Sequence, residues 1–220
     1  MPLLTLADAL LSNASKFLGC YEDRRINEAG VSVGTNRSSC IDEIQNAVVS
    51  ANKNDAYCAK FVSKILNLTF PFFLKMPPTI NTASTTAMRD KAAKLGIIKS
   101  YPVRGSVFFR KRTGGGHVGF VEHIKKDENG KIIGFTSIEG NAGKTINGKK
   151  QDGIVQLDHK DDGQYLFMDF PSMADLRIPS ARTVLDITLL TAGCIGAYYT
   201  YKRFGQDAKL VVKKKLKELT

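Results

Sequence analysis

The feature that most constrains this chain is a change of apolar period near residue 100. Upstream, apolar residues recur at helical spacing. Leu4, Leu6, Ala9, Leu10, Ala14, Phe17 and Leu18 share one side of a helix over 3–18. Ile41, Ile44, Ala47 and Val48 mark a second, starting near Ser38 or Ser39, where Ser39 and Asp42 resemble a capping box. Phe61, Val62, Ile65, Leu66 and Leu68 mark a third, ending near Phe70 and Pro71, and a short fourth over 85–95 stops at Gly96. Residues 19–37 read as an irregular connection, and 72–82, with Pro77 and Pro78, as loop. Downstream, 106–110, 117–125, 131–139, 153–158 and 164–170 are strand-like, with Asp127, Glu128, Asn129 and Gly130 as a hairpin loop. Helices followed by antiparallel strands predict an α+β domain over 1–171.

Beyond it, 172–183 reads as a linker. Residues 184–201 are apolar apart from Asp186 and a few hydroxyl side chains, and Lys202 and Arg203 follow them. Tyr198, Tyr199 and Tyr201 stand at one end, and small residues lie four apart (Ala192 and Gly196, Gly193 and Ala197). That combination predicts a transmembrane helix with its C-terminus on the positive-inside side. The rival is an apolar helix docked on a partner or on the domain. The tail over 202–220 is basic and suits anionic lipid or nucleic acid; the plainer reading is a solvated helix face. The N-terminus has no basic start and carries Asp8, so it does not read as a signal peptide.

Composition narrows the function classes. Apolar residues are 43% and charged residues 24%, which argues against wholesale disorder. The net charge of +11 predicts a polyanionic partner: nucleic acid, anionic lipid or bacterial cell wall. The absence of zinc-finger spacing, a helix-turn-helix signal and basic-aromatic interleaving disfavours nucleic acid. Cys20, Cys40, Cys58 and Cys194 form no C-x-x-C pair, which argues against zinc, and a Cys20–Cys40 disulfide stays open. No loop has calcium-ligand spacing, so neither metal nor cofactor is expected.

Cys58 opens the third helical segment, in the run Asp55, Ala56, Tyr57, Cys58, Ala59, Lys60, Phe61, Val62. A thiol in a helix's first turn feels free N–H groups and the positive dipole end, which favour thiolate. The alternative is a buried structural cysteine. A nucleophile needs a base, and the base needs an orienting acceptor. His123 lies inside a strand-like run and reads as a surface residue. His159, among Asp158, Lys160, Asp161 and Asp162, reads as solvated. His117 follows Gly114, Gly115 and Gly116 and opens a strand. If 131–139 returns antiparallel along 117–125, Glu139 or Asn141 lies beside His117, where an orienting group belongs.

Together these pieces resemble the CHAP family of cysteine, histidine-dependent amidohydrolases and peptidases, relatives of the NlpC-type enzymes. The resemblance rests on 55–62; on Arg104, Gly105, Ser106, Val107, Phe108, Phe109; on 116–122; and on Glu139, Gly140, Asn141. Glu28, Gly34, Asn36, Arg37 and 41–45 look like the lead-in of some members. It spans roughly 15–170. It implies a papain-like fold, with N-terminal helices packed on an antiparallel sheet. It also implies peptidoglycan cleavage at an amide of the stem peptide or at its junction to the sugar. Cys58 would be nucleophile, His117 base and then acid, Glu139 the orienter and Asn141 further polar support. Tyr57 stands where members usually have Trp, and Ser106 where Asp usually follows the Gly. Tyr57 and Ala59 are expected to wall the cleft and pack the helix. Such a lysin ending in a membrane segment fits a bacteriophage product in a virion's internal membrane or the host inner membrane. Two alternatives stand beside it. One is a membrane-anchored structural or wall-binding protein with an inactive site. The other is a lipid acyltransferase or thioesterase of related fold, whose members generally place His before Cys.

Overall fold

The computed structural model describes residues 4–48, 55–70, 80–112, 115–170 and 177–178. The chain divides into two units, Thr5–Leu176 and Met1–Leu4 with Arg177–Thr220. Described residues of the second are Leu4, in β1 (Leu4–Thr5), and β10 (Arg177–Ile178). Residues 184–201 and 202–220, read as membrane helix and tail, lie outside the described residues. Among the described residues no helix is long and apolar enough to cross a membrane.

The larger unit is α+β, its helices preceding an antiparallel sheet as the change of period predicts. α1 (Leu6–Ser15) is shorter than the predicted 3–18 because Thr5 caps it. The Thr5 hydroxyl accepts from the Asp8 N–H, and the Asp8 carboxylate accepts from the Thr5 N–H. That is the capping box expected at Ser39 and Asp42. There, Ser38 caps α2 (Ser39–Gln45) instead, and Asp42 turns to the Arg37 guanidinium. α3 (Cys58–Thr69) buries Ala59, Phe61, Val62, Ile65 and Leu66 completely. Each such burial contributes roughly 1–3 kcal/mol, least for the alanine. The buried Lys60 ammonium donates to the Gln45 side chain, and Gln45 donates to the Asp55 carbonyl, so α2 and α3 are tied by polar groups. α4 (Thr85–Lys94) is capped by Ser84.

The region expected to be irregular, 19–37, contains a hairpin of β2 (Arg24–Ile26) and β3 (Ser32–Gly34). Sequence period missed it because all three β2 residues are exposed, so no alternation was present to read. A disulfide joins Cys20 to Cys40 across this region.

The main sheet comprises β4 (Ile98–Lys99), β5 (Val107–Arg112), β6 (Gly115–Lys126), β7 (Ile132–Ile146), β8 (Lys149–Lys160) and β9 (Tyr165–Met168). Its order is β4-β9-β5-β6-β7-β8. β6 and β7 pair antiparallel with Gly119 opposite Glu139, as the 127–130 turn predicts. β7 and β8 run longer than the predicted 131–139 and 153–158. They meet through Asn147 and Gly148, both at positive φ (49° and 77°), the conformation that a two-residue Asn-Gly hairpin requires.

The sheet curls strongly. β8 and β9 have three strands between them, so flat spacing would part them by about 19 Å. Yet His159 Nδ1 of β8 lies 3.0 Å from the Tyr165 hydroxyl of β9. The concave interior is filled by Phe108, Val121, Phe135, Tyr165 and Phe167. On the opposite face Phe120 meets Phe61 of α3 edge-on, ring centroids 6.1 Å apart. A Cβ at Gly140 would come within 2.8 Å of the Phe61 Cβ, so helix and sheet approach as closely as they do only because that residue is glycine.

Candidate active site

Three elements converge on the Cys58 sulfur. Cys58 is the first residue of α3, so its own N–H has no partner inside the helix. The thiol is buried and is the free cysteine among the described residues. It hydrogen-bonds the His117 ring and the Ala59 N–H, and its Sγ lies 3.6 Å from the Thr85 Oγ1. Burial pushes the thiol up. The hydrogen bond and charge of His117, with the Thr85 hydroxyl and the Ala59 N–H, outweigh it and bring the thiol below its usual range.

His117 is held on β6, opposite Arg110 of β5, and is 3% exposed. Its Nε2 lies 2.6 Å from the Glu139 Oε2, which leaves Nδ1 for the sulfur. Burial depresses the imidazolium, but the Cys58 and Glu139 hydrogen bonds and charges overcome it, and the ring is more basic than usual. The opposite shifts of thiol and imidazole favour one protonation state, thiolate beside imidazolium.

Glu139 is fully buried on β7. It is paired with Gly119, not with His117, and reaches the ring diagonally across the missing side chain. A Cβ at Gly119 would stand 2.8 Å from the Glu139 Cγ. Burial alone would raise this carboxyl; hydrogen bonds from His117 and His159, the His117 charge and the Ser137 hydroxyl carry it down to about 2. It is therefore a fixed charge, not a proton carrier, at any pH near neutrality.

Asn141 lies within the irregularity of β7 between Glu139 and Ala142 and has φ of 56°, in the left-handed region that Asn tolerates. Its backbone N–H donates to the Tyr57 hydroxyl. Among the described residues no hydrogen bond joins its side chain to Cys58, His117 or Glu139. Tyr57 does not wall a cleft: it is wholly buried, and its hydroxyl donates to the Glu22 Oε1 at 3.0 Å. Burial and the Glu22 charge push its phenol up. These partners hold Tyr57, the residue before Cys58, in the interior. Ala59 is buried in the helix packing as expected.

Two neighbours of the site were missed or misread in the sequence. Thr85 is the first residue of α4 and carries no motif. Its approach depends on Gly116, where a Cβ would meet the Thr85 Cγ2 at 2.5 Å. His159, read as solvated from its charged neighbours, is half-buried as a residue, with its side chain only 7% exposed. Its Nε2 contacts the Glu139 Oε1 and lies 2.9 Å from the Ser137 Oγ. Strand alternation explains it: Asp158 and Lys160 face outward while His159 faces inward opposite Phe135. His123 is exposed, as its reading required. Among the described residues no group of three or more His, Cys, Asp or Glu side chains is placed to hold a metal. Chemically, the arrangement offers a buried thiolate, a proton donor beside it and, on the same residue, a helix-start N–H without a partner inside the helix. A search of protein-family models finds no match to this chain, and neither curated proteins nor solved structures match it.

Proposed function

We propose that this protein is a cysteine amidase or endopeptidase that cleaves peptidoglycan, a CHAP-like enzyme on a papain-like variant of the α+β fold. The observation that carries the reading is the continuous chain from the Cys58 thiol through His117 to the buried Glu139. A structural cysteine has no need of a basic imidazole, and a buried carboxylate held charged has no packing role. The substrate class rests on the family resemblance and on the +11 charge, which suits a polyanionic wall.

The mechanism is acyl transfer. The Cys58 thiolate attacks the amide carbonyl carbon, and the developing oxyanion takes the Cys58 N–H. His117, already protonated at the nitrogen facing the sulfur, gives that proton to the departing amine. Water then enters; His117 takes its proton as the hydroxyl oxygen attacks the thioester carbonyl, and the thiolate leaves. Glu139 keeps its charge throughout and holds the ring in one orientation. Cys58 preceding His117 in the chain favours this hydrolase over the lipid acyltransferase order. Residues 184–201 would hold the enzyme at a membrane, with the basic tail on anionic headgroups.

Mass analysis of fragments released from purified peptidoglycan tests the reading and identifies the bond. Wild type is expected to release muropeptides with one newly exposed amine per cut. Cys58→Ala and His117→Ala are expected to release none while remaining folded. Fragments released by either variant at the wild-type rate would sink the assignment.

A further inference from the structure

We propose that His159 is a positioning residue of this site: a second histidine that, with Ser137 and Tyr165, holds Glu139 in the one orientation that serves His117. The inference rests on the cysteine-hydrolase reading for its consequences in turnover, but its geometry stands apart from any substrate.

A carboxylate that orients a histidine has two oxygens, and in a buried site both need partners. Glu139 gives Oε2 to His117 at 2.6 Å. Its Oε1 is taken by the Ser137 hydroxyl and the His159 Nε2, so each oxygen of one carboxylate faces one histidine. His159 in turn is fixed from three sides. Its Nε2 faces a carboxylate oxygen, which can only accept, so the ring hydrogen sits on Nε2; in that tautomer Nδ1, 3.0 Å from the Tyr165 hydroxyl, accepts from it. Its face stacks on Phe135 with centroids 4.9 Å apart and planes 27° from parallel. Phe108 flanks it at 5.3 Å. Tyr165 is itself anchored: the Arg110 guanidinium sits 5.1 Å above its ring and pairs with Asp162 at 3.2 Å. The charged groups around His159 are therefore Glu139 in the concave interior, Arg110 with Asp162 behind Tyr165, and Asp158 and Lys160 on either side of it along its own strand.

The alternative role, a proton path from His117 through Glu139 to His159, fails on the carboxyl group. A path needs Glu139 to accept a proton in passing, and a carboxyl held at about 2 by hydrogen bonds from His117, His159 and Ser137 and by the His117 charge does not do so near neutrality. His159 holds; it does not relay. Because His117 draws part of its basicity from Glu139, a carboxylate left free to turn weakens the imidazolium. The Cys58 thiolate then loses its counter-ion.

The test uses the full chain and two measurements. One is the pH midpoint of Cys58 alkylation by iodoacetamide, read at Cys58 by peptide mapping, which needs no substrate. The other is fragment release from purified peptidoglycan. His159→Phe keeps the ring stack and removes the donor. It is expected to raise the alkylation midpoint by about one pH unit and to slow release on the order of tenfold. His159→Gln returns an N–H at similar reach and is expected to recover most of both losses. Tyr165→Phe, a milder change, is expected to move both readouts in the same direction by less. A folded His159→Phe or Tyr165→Phe protein with the wild-type midpoint overturns the proposal. So does a Gln variant as impaired as the Phe variant. If His159→Phe does not fold, Tyr165→Phe decides by the midpoint criterion. Shifted midpoints in a protein whose wild type releases no fragments would reject the hydrolase reading and keep the positioning role. Fragment release at the wild-type rate by every variant would do the reverse.

Discussion

The two faces of the main sheet bury side chains to the same degree and use them differently. On the helix-facing side, Val107, Phe109, Val118 and Phe120 are apolar, and Phe120 meets Phe61 of α3. On the concave side the sheet carries Phe108, Val121, Phe135 and Phe167, but also His117, Ser137, Glu139 and His159. An apolar contact tolerates small displacements, because dispersion and burial have no direction. A buried carboxylate shared by two histidines does not, because each unmade hydrogen bond costs about 1–3 kcal/mol. The difference assigns stability chiefly to one face and chemistry to the other, although β6 alternates between them residue by residue.

The sharpest way to break that division is Glu139→Gln, which keeps volume and removes the charge. The polar face predicts a rate loss on the order of 10²-fold and a higher alkylation midpoint at Cys58, because the imidazolium loses its counter-charge. Release kinetics and the alkylation profile check it, and an unchanged midpoint would assign Glu139 to packing alone. Gly119→Ala comes next and lies on the boundary. Its Cβ would stand 2.8 Å from the Glu139 Cγ, the Ile138 carbonyl and the Phe108 ring together. Expected are a stability loss of about 1–3 kcal/mol by denaturant titration and a slower enzyme. Phe120→Leu is its counterpart on the helix side. It should cost about 1–2 kcal/mol of stability and leave the alkylation midpoint where it was. A shifted midpoint there would show that the two faces are coupled through β6.

How much of this was legible in the sequence depended on whether a residue's role was local. The change of period near residue 100 was enough for the helices and for the β6–β7 pairing, because period and turn chemistry act within a few residues. The same hairpin argument brought Glu139 toward His117. Its diagonal reach across Gly119 was not visible, since it depends on the absence of a side chain on the neighbouring strand. His159 was misread because its neighbours in sequence are charged. Its neighbours in space, Phe135 and Tyr165, are set by the register of β7 with β8 and by the curl that brings β9 to β8. Thr85 was invisible for the same reason: a first-turn hydroxyl gains a role only when another helix begins opposite it. Tyr57 was placed at the cleft by analogy with an aromatic wall. It is buried because Glu22 and the Asn141 N–H, 35 and 84 positions away, offer its hydroxyl two partners in the interior.

The smallest expected effect tests the polar face through stability, where it should count least. Glu139 titrates at about 2 in the folded protein against its usual 4.5. A carboxyl whose folded value is depressed contributes stability that is present above its unfolded value and is lost as pH falls through the folded one. Between pH 4.5 and 2 the wild type should therefore lose stability that Glu139→Gln, with nothing to protonate there, does not lose. The readout is the difference between the two melting temperatures across that window, because other carboxylates such as Asp8 titrate alike in both proteins. The difference should narrow by on the order of 5 °C toward pH 2. Parallel melting curves would mean that the Glu139 charge is no better solvated in the concave interior than in water. The concave face would then owe its order to ring packing around Phe135, as the helix-facing side owes its own to Phe61.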